Sequence, residues 1–194
     1  GYVTHTVRPG DTLFALAGRY GVPLSSVTAA NPGVDPAALR PGQTLTVPLP
    51  FDVVPTDIAY SSELVAYAVR GLGARYPFIS VGDIGRSVMG RPLWRMTMGF
   101  GENRVLYNAS HHANEWITTP VLLKFAEDLA KAYVSGGELL GRSAAEIMQY
   151  ATLYIVPALD PDGIDLVTGE LSGGSYYEYA RSIAADYPRF PFPD

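Results

Sequence analysis

The sequence predicts an α/β protein in two parts: a small βααβ module over residues 1–50 and an α/β domain with a mixed sheet over residues 58–194, joined by a linker at 51–57. Three observations point there. Strand, helix, helix and strand patterns succeed one another before residue 50. A hairpin pattern and then a strand–helix–strand rhythm fill the remainder, the second of which builds parallel pairing through a crossover. Hydrophobic residues make up 47% of the 194 and charged residues 17%, enough apolar surface to bury cores.

The first strand is Tyr2 to Val7, where YVTHTV alternates. Arg8-Pro9-Gly10 turns, Asp11 or Thr12 offers an N-cap oxygen, and Leu13, Leu16, Ala17 and Tyr20 then line one face of a helix that Gly21 closes. A second helix starts near Pro23 and must stop near Asn31, because the residue before Pro32 is pushed out of the helical region. Arg40-Pro41-Gly42-Gln43 turns into a closing strand, Leu45 to Val47. Pro48, Pro50 and Pro55 make the stretch around the linker stiff, and the two parts are expected to touch.

In the larger part a helix is predicted from Ser62 to Tyr76, ended by Pro77. Ile79–Ile84 and Pro92–Met98 read as a hairpin around GRSVMGRP. Val105–Asn108 is a short apolar run of the kind buried on both faces of a sheet. Glu115 to Val134 reads as a long helix with Pro120 in its first turns, Ser143–Tyr150 as a short one, and Thr152–Val156 as a second buried strand. The tail GSYYEYARSIAADYPRFPFPD is aromatic and proline-rich, and Tyr176, Tyr177 and Tyr179 read either as lining of a cleft or as core residues lacking a partner.

Composition removes several classes of function. A net charge of −5 and a pI near 5.1 leave no basic patch for a phosphate backbone, so nucleic acid is not expected as a partner. No apolar run approaches the roughly 20 residues a bilayer span requires, so no membrane partner is expected either. With no cysteine, any metal site must be built from His, Asp and Glu.

The stretch NASHHANEWITTP, just past the Val105 strand, supplies such residues. Ligand sites in open α/β sheets gather beyond the carboxyl ends of strands. His112 with Glu115 is spaced i, i+3 and His111 with Glu115 i, i+4, and either pair can turn toward one point on a helical surface. Neither spacing is the HExxH of the common zincins or the HxxEH of the inverted ones.

Two resemblances organise these residues. VRPGDTLFALAGRYGV, AANPGV and LRPGQTLTVP together resemble a LysM module over its full length. The resemblance implies binding of N-acetylglucosamine-containing glycans such as peptidoglycan, in a groove between Gly10, Asp11, Thr12 and Leu13 on one side and Asn31, Pro32 and Gly33 on the other. The plainer role of Asp11, Thr12 and Asn31 is to cap and end helices.

IGRSVMGRPLWRMTMG, NASHHANEWITTP and YIVPALDPDGIDLV resemble, in order and spacing, the zinc carboxypeptidase family, with Trp116 after the glutamate matching as well. The doubled histidine and the neighbouring LysM-like module are most similar to the branch of bacterial γ-D-glutamyl-L-diamino acid endopeptidases, which cut peptidoglycan stem peptides. That resemblance implies Zn2+ held by His112 and Glu115, with His111 a neighbour and Asp160-Pro161-Asp162-Gly163 shaping a loop where the family has Asn first. It also implies a third zinc histidine, an oxyanion arginine and a general-base glutamate beyond Asp194, since the chain has only His5, His111 and His112. Arg181 and Arg189 match no family motif and are assigned to solvent.

The expectation is therefore a bacterial peptidoglycan hydrolase of the cell wall or extracellular space, spore walls included, of which this chain holds the N-terminal part of the peptidase domain and no complete catalytic set. The alternatives are a LysM-bearing zinc carboxypeptidase acting on other peptides, and a wall-binding protein without catalysis.

Overall fold

The computed structural model describes residues 1–186. In the N-terminal module β1 (Tyr2–Thr6) pairs antiparallel with β2 (Thr44–Pro48), with His5 opposite Leu45 and Thr4 opposite Thr46. Between them lie α1 (Leu13–Tyr20) and α2 (Leu24–Ala29). Helix α1 starts at Thr12 because its hydroxyl accepts the Ala15 N–H at 3.1 Å, and it stops at Gly21, which takes a left-handed φ of 66°. Leu13, Leu16, Val27, Leu45 and Val47 form the centre of a separate small core.

The larger unit opens with α3 (Ser62–Arg75), capped by the Ser61 hydroxyl. The hairpin β3 (Ser80–Arg86) and β4 (Pro92–Gly99) follows, and then β5 (Asn103–Asn108). A single 3-10 turn at Ala113–Glu115 leads into α4 (Thr118–Ser135). A two-residue ladder of β6 (Glu138–Leu139) with β7 (Arg142–Ser143), α5 (Ala144–Tyr150), β8 (Ala151–Val156), α6 (Pro161–Thr168) and α7 (Ser175–Ala185) complete the described chain.

The sheet runs in the order β3-β4-β8-β5. It is mixed, since β8 pairs antiparallel with β4 and parallel with β5. Met96 and Met98 of β4 and Leu153 and Ile155 of β8 meet Leu72 of α3 and Leu123 and Leu129 of α4 in one core. Helix α2 packs on α4, and α3 on both β1 and β2, so the two units do touch.

Several elements differ from expectation. β5 is not buried on both faces: Leu106 is 62% and Tyr107 44% exposed, and among the described residues β5 is an edge strand of the sheet. The long helix starts at Thr118 and not Glu115, since residues 113–115 close a tighter turn first. The DPDG segment is the start of α6, with Asp160 as N-cap accepting the Gly163 N–H at 2.9 Å and Pro161 at the first helical position. The aromatic tail forms α7, on which Tyr176 and Tyr179 are exposed and Arg181 lies over the Tyr177 ring at 5.9 Å. Arg189 lies outside the described residues.

Asp162 does more than form a turn. Its carboxylate accepts from the Arg91 guanidinium and the Ser87 hydroxyl at 2.8 Å each, and from the Met89 N–H at 3.0 Å. Arg91 reaches Asp165 as well at 2.7 Å, so one guanidinium ties the hairpin to α6.

Gly99 is the tightest point of the sheet. It sits at φ 92°, and a Cβ there would stand 2.1 Å from the Ala151 carbonyl oxygen, so both the backbone conformation and the approach of β8 exclude a side chain. Gly99→Ala should therefore destabilise the fold by about 2 kcal/mol or more, read as a lower urea midpoint; an unchanged midpoint would contradict this packing.

Candidate metal and glycan sites

The parallel pairing of β5 with β8 continues past both strand ends. The Ala109 N–H donates to Val156 O at 3.1 Å, Leu159 N–H to Ala109 O at 3.0 Å, and Asp160 N–H to Ser110 O at 2.9 Å. The two loops that leave the sheet are thereby laid side by side. Ser110 is 1% exposed and takes a left-handed φ of 47°, unusual for a non-glycine residue, which swings the chain sharply after β5.

Three hydroxyl groups hold that bend. The Ser110 N–H donates to Thr118 Oγ1 at 2.9 Å, and the Ser110 and Thr118 hydroxyls both donate to Glu115 O, at 3.2 and 2.8 Å. Thr119, fully buried, donates to Pro157 O at 2.6 Å and lies 2.7 Å from the Ser110 hydroxyl. None of these three residues was singled out from sequence. The clustering of Ser and Thr around HHANE, with two threonines opening a helix, is the only trace of them there.

On this support His112 Nδ1 lies 3.0 Å from Glu115 Oε1, with the side chains 77% and 45% exposed. From below, α6 packs against the turn: a Cβ on Gly163 would be 2.8 Å from that of Ala113. His111 faces elsewhere, its Nε2 lying 2.5 Å from Asn108 Oδ1 and its ring centroid 6.4 Å from that of His112. Among the described residues no group of three or more His, Asp and Glu is close enough to share an ion.

The hydrogen bond and the charge of Glu115 push the His112 pKa up, and Asp160 adds in the same direction. The same hydrogen bond, aided by the two imidazoles, pulls Glu115 down. An imidazole nitrogen and a carboxylate, converged and open to solvent, fit zinc as two of its ligands.

In the N-terminal module the residues of the expected groove are used unequally. Gly10 and Gly33 both take left-handed φ, 85° and 78°, with no atom within 4 Å of where a side chain would start. Thr12 and Pro32 are exposed, while Leu13 is a core residue. Asp11 Oδ2 is occupied by His5 Nε2 at 2.7 Å and the Arg8 N–H at 2.8 Å, which hold its pKa below the ordinary carboxylate range. The Asn31 amide is spent internally: its nitrogen donates to Val27 O and Thr46 O, both at 2.7 Å, and its oxygen accepts the Thr46 N–H at 2.8 Å. One loop is thus anchored on β1 at His5 and the other on β2 at Thr46, one register step apart.

A family model described as zinc carboxypeptidase matches residues 66–182, and one described as LysM domain matches residues 5–48. The curated γ-D-glutamyl-L-diamino acid endopeptidase 1 of Lysinibacillus sphaericus is 36% identical over 213 residues, covering 83% of this chain and 54% of that protein. The protein YqgT of Bacillus subtilis (strain 168) is 40% identical over 111 residues, covering 56% of this chain and 29% of its own length. The chain thus spans about half of the first relative and under a third of the second. Among solved structures, thrombin-activatable fibrinolysis inhibitor shares the fold with a TM-score of 0.51 at 23% identity, over 57% of this chain and 27% of that one.

Because Glu115 raises the His112 pKa, the ring sheds its extra proton only as pH climbs past that raised value, and a neutral imidazole is offered to a metal only afterwards. An NMR titration of the His112 ring should show Glu115→Gln moving its midpoint down toward that of a free imidazole. An unmoved midpoint would mean that the two side chains do not pair in solution.

Proposed function

The chain belongs to the zinc carboxypeptidase family and carries a LysM domain, and from this premise we propose that the protein is a peptidoglycan hydrolase. It is a zinc metallopeptidase that cleaves the γ-D-glutamyl bond to a diamino acid in stem peptides, held on the glycan by its LysM module. The observation that carries this reading is the converged His112–Glu115 pair, 3.0 Å apart at the carboxyl end of β5 and inside the region matching the family. The 36% identity to an enzyme named for that bond supports the choice of substrate.

Zinc, when bound, supplies a Lewis acid that polarises the scissile carbonyl and makes water at the site more acidic. His112 and Glu115 are the residues of this chain that would hold it. Ser110, Thr118 and Thr119 fix the turn through the Glu115 carbonyl, so the two donors keep their spacing when a substrate approaches. Asp160 does two jobs: it caps α6 and places negative charge near His112, which favours a cation there.

In this reading residues 1–50 are the glycan-binding module, 51–57 the linker and 58–194 the peptidase part. Gly10, Thr12, Pro32 and Gly33 offer the open surface of the groove, while Asp11, Leu13 and Asn31 shape it from within. Binding glycan raises the concentration of stem peptide at the metal pair without any new contact there. The protein works outside the cell or in the wall, where such glycan is found.

Two measurements on one pair of proteins test this reading. Zinc-loaded protein that carries this chain together with the rest of the peptidase domain should sediment with purified peptidoglycan and release products cut after D-glutamate, identified by mass spectrometry of muropeptides. His112→Ala should lose zinc by metal analysis, and with it cleavage, yet still sediment. Trimming of single C-terminal residues would point instead to a carboxypeptidase on other peptides, and failure of both proteins to sediment would sink the LysM assignment.

A further inference from the structure

The segment between the two units is packed against both α3 and α4. Val53 and Val54 are buried, and their N–H groups donate to the two carboxyl oxygens of Glu127 at 2.7 and 3.1 Å. Glu127 lies midway along α4 and is 0% exposed, a placement a glutamate rarely takes without partners. Lys124 is next to it at 3.9 Å. Asp52 spans two turns of the same helix, reaching Lys124 at 2.9 Å and Lys131 at 2.8 Å.

Helix α3 grips the segment from the other side. Arg75, itself buried, donates to Phe51 O at 2.8 Å and Gly1 O at 3.4 Å. Gly71 is a helix-interior glycine with a packing reason, since a Cβ there would be 2.6 Å from Val53 Cγ1. The Tyr60 hydroxyl, from just before α3, donates to Pro55 O at 3.0 Å.

Helix α4 connects this clamp to both sites. Its 18 residues span about 27 Å at 1.5 Å per residue. It begins at Thr118, which holds the Glu115 carbonyl, and ends at Ser135, which shares a cleft with Pro23 and Ser26 of the N-terminal module. The glycan-facing loop is at the far end of that module: β1 begins at the Arg75 contact and runs away from it toward Gly10 and Thr12.

We infer that residues 51–57 form a rigid coupling that holds the LysM groove at one distance and direction from His112 and Glu115, and so selects which stem peptides along a bound glycan are reached. The second half rests on the proposed function; the first does not. A flexible tether spreads its effective concentration over every point within its span, whereas a rigid one concentrates it along a single vector. Stem peptides at the right offset are favoured and the others are out of reach.

The absence of cysteine makes the coupling measurable, because Ala15→Cys on α1 and Ala145→Cys on α5, both exposed, introduce a unique pair of spin labels. Electron–electron dipolar spectroscopy on the whole chain should give one narrow distance distribution. A Gly-Ser-Gly-Ser insertion between Pro50 and Phe51 should broaden it by on the order of 10 Å, the free span of such a linker. Asp52→Asn with Glu127→Gln should broaden it in the same sense. A broad distribution in the parent chain, or variants as narrow as the parent, would overturn the coupling.

For the selecting role, the insertion, made in protein that also carries the rest of the peptidase domain, should lower zinc-dependent cleavage of polymeric peptidoglycan several-fold while isolated muropeptides are cut at the parent rate. Equal rates on the polymer would overturn it. Loss of sedimentation with peptidoglycan in the parent would instead count against the glycan reading and leave the coupling untouched.

Discussion

The parallel pairing of β5 with β8, carried three hydrogen bonds beyond the strands, is the constraint on which the candidate metal site depends. Two loops that would otherwise diverge are zipped together, so the turn bearing His112 and Glu115 can rest on the start of α6. Everything nearby serves that contact. Gly163 keeps the approach close, Ser110 accepts a strained φ to make the bend, and the threonines at the head of α4 absorb the carbonyls the bend leaves over.

The charged residues divide by exposure into two kinds of work. Arg91 with Asp162 and Asp165, Arg75 with the Phe51 carbonyl, and Glu127 with the linker amides are wholly or largely shielded and join elements far apart in sequence. Burial alone would raise the pKa of Asp52, but hydrogen bonds from Lys124 and Lys131 outweigh it and hold the group at about 2. Its contribution is therefore complete above the ordinary carboxylate pKa and fades as pH falls toward 2. His112 and Glu115 are the contrast: a pair left open to water, which adds little to stability and keeps its donor atoms available.

What could be read from sequence was whatever depends on neighbours in the chain. Thr12 as a cap, Gly21 as a stop and the hairpin of Ile79–Ile84 with Pro92–Met98 were all legible, because each is decided within a few residues. The exposure of β5 was not, since an apolar strand looks the same at the edge of a sheet as at its centre. The carboxyl of Glu127 meets amides 73 and 74 residues away, so its burial left no local mark. Helix α6 was missed for a different reason: Asp160-Pro161 is a proper helix start, but the DPDG stretch also makes a good turn, and local chemistry does not separate the two. At the candidate metal site the two proposed ligands were visible in the HxxE spacing, whereas the hydroxyl scaffold beneath them depends on a bend that only the folded chain has.

Asn31 shows how a binding residue and a folding residue can be mistaken for each other. Its amide makes three hydrogen bonds inside the module and is 9% exposed, so it has little left to offer a sugar. Any substitution there would cut glycan retention by loosening the α2–β2 connection. A scan that scored retention alone would record a contact residue, whereas one that also followed unfolding would show the module failing before the ligand arrives.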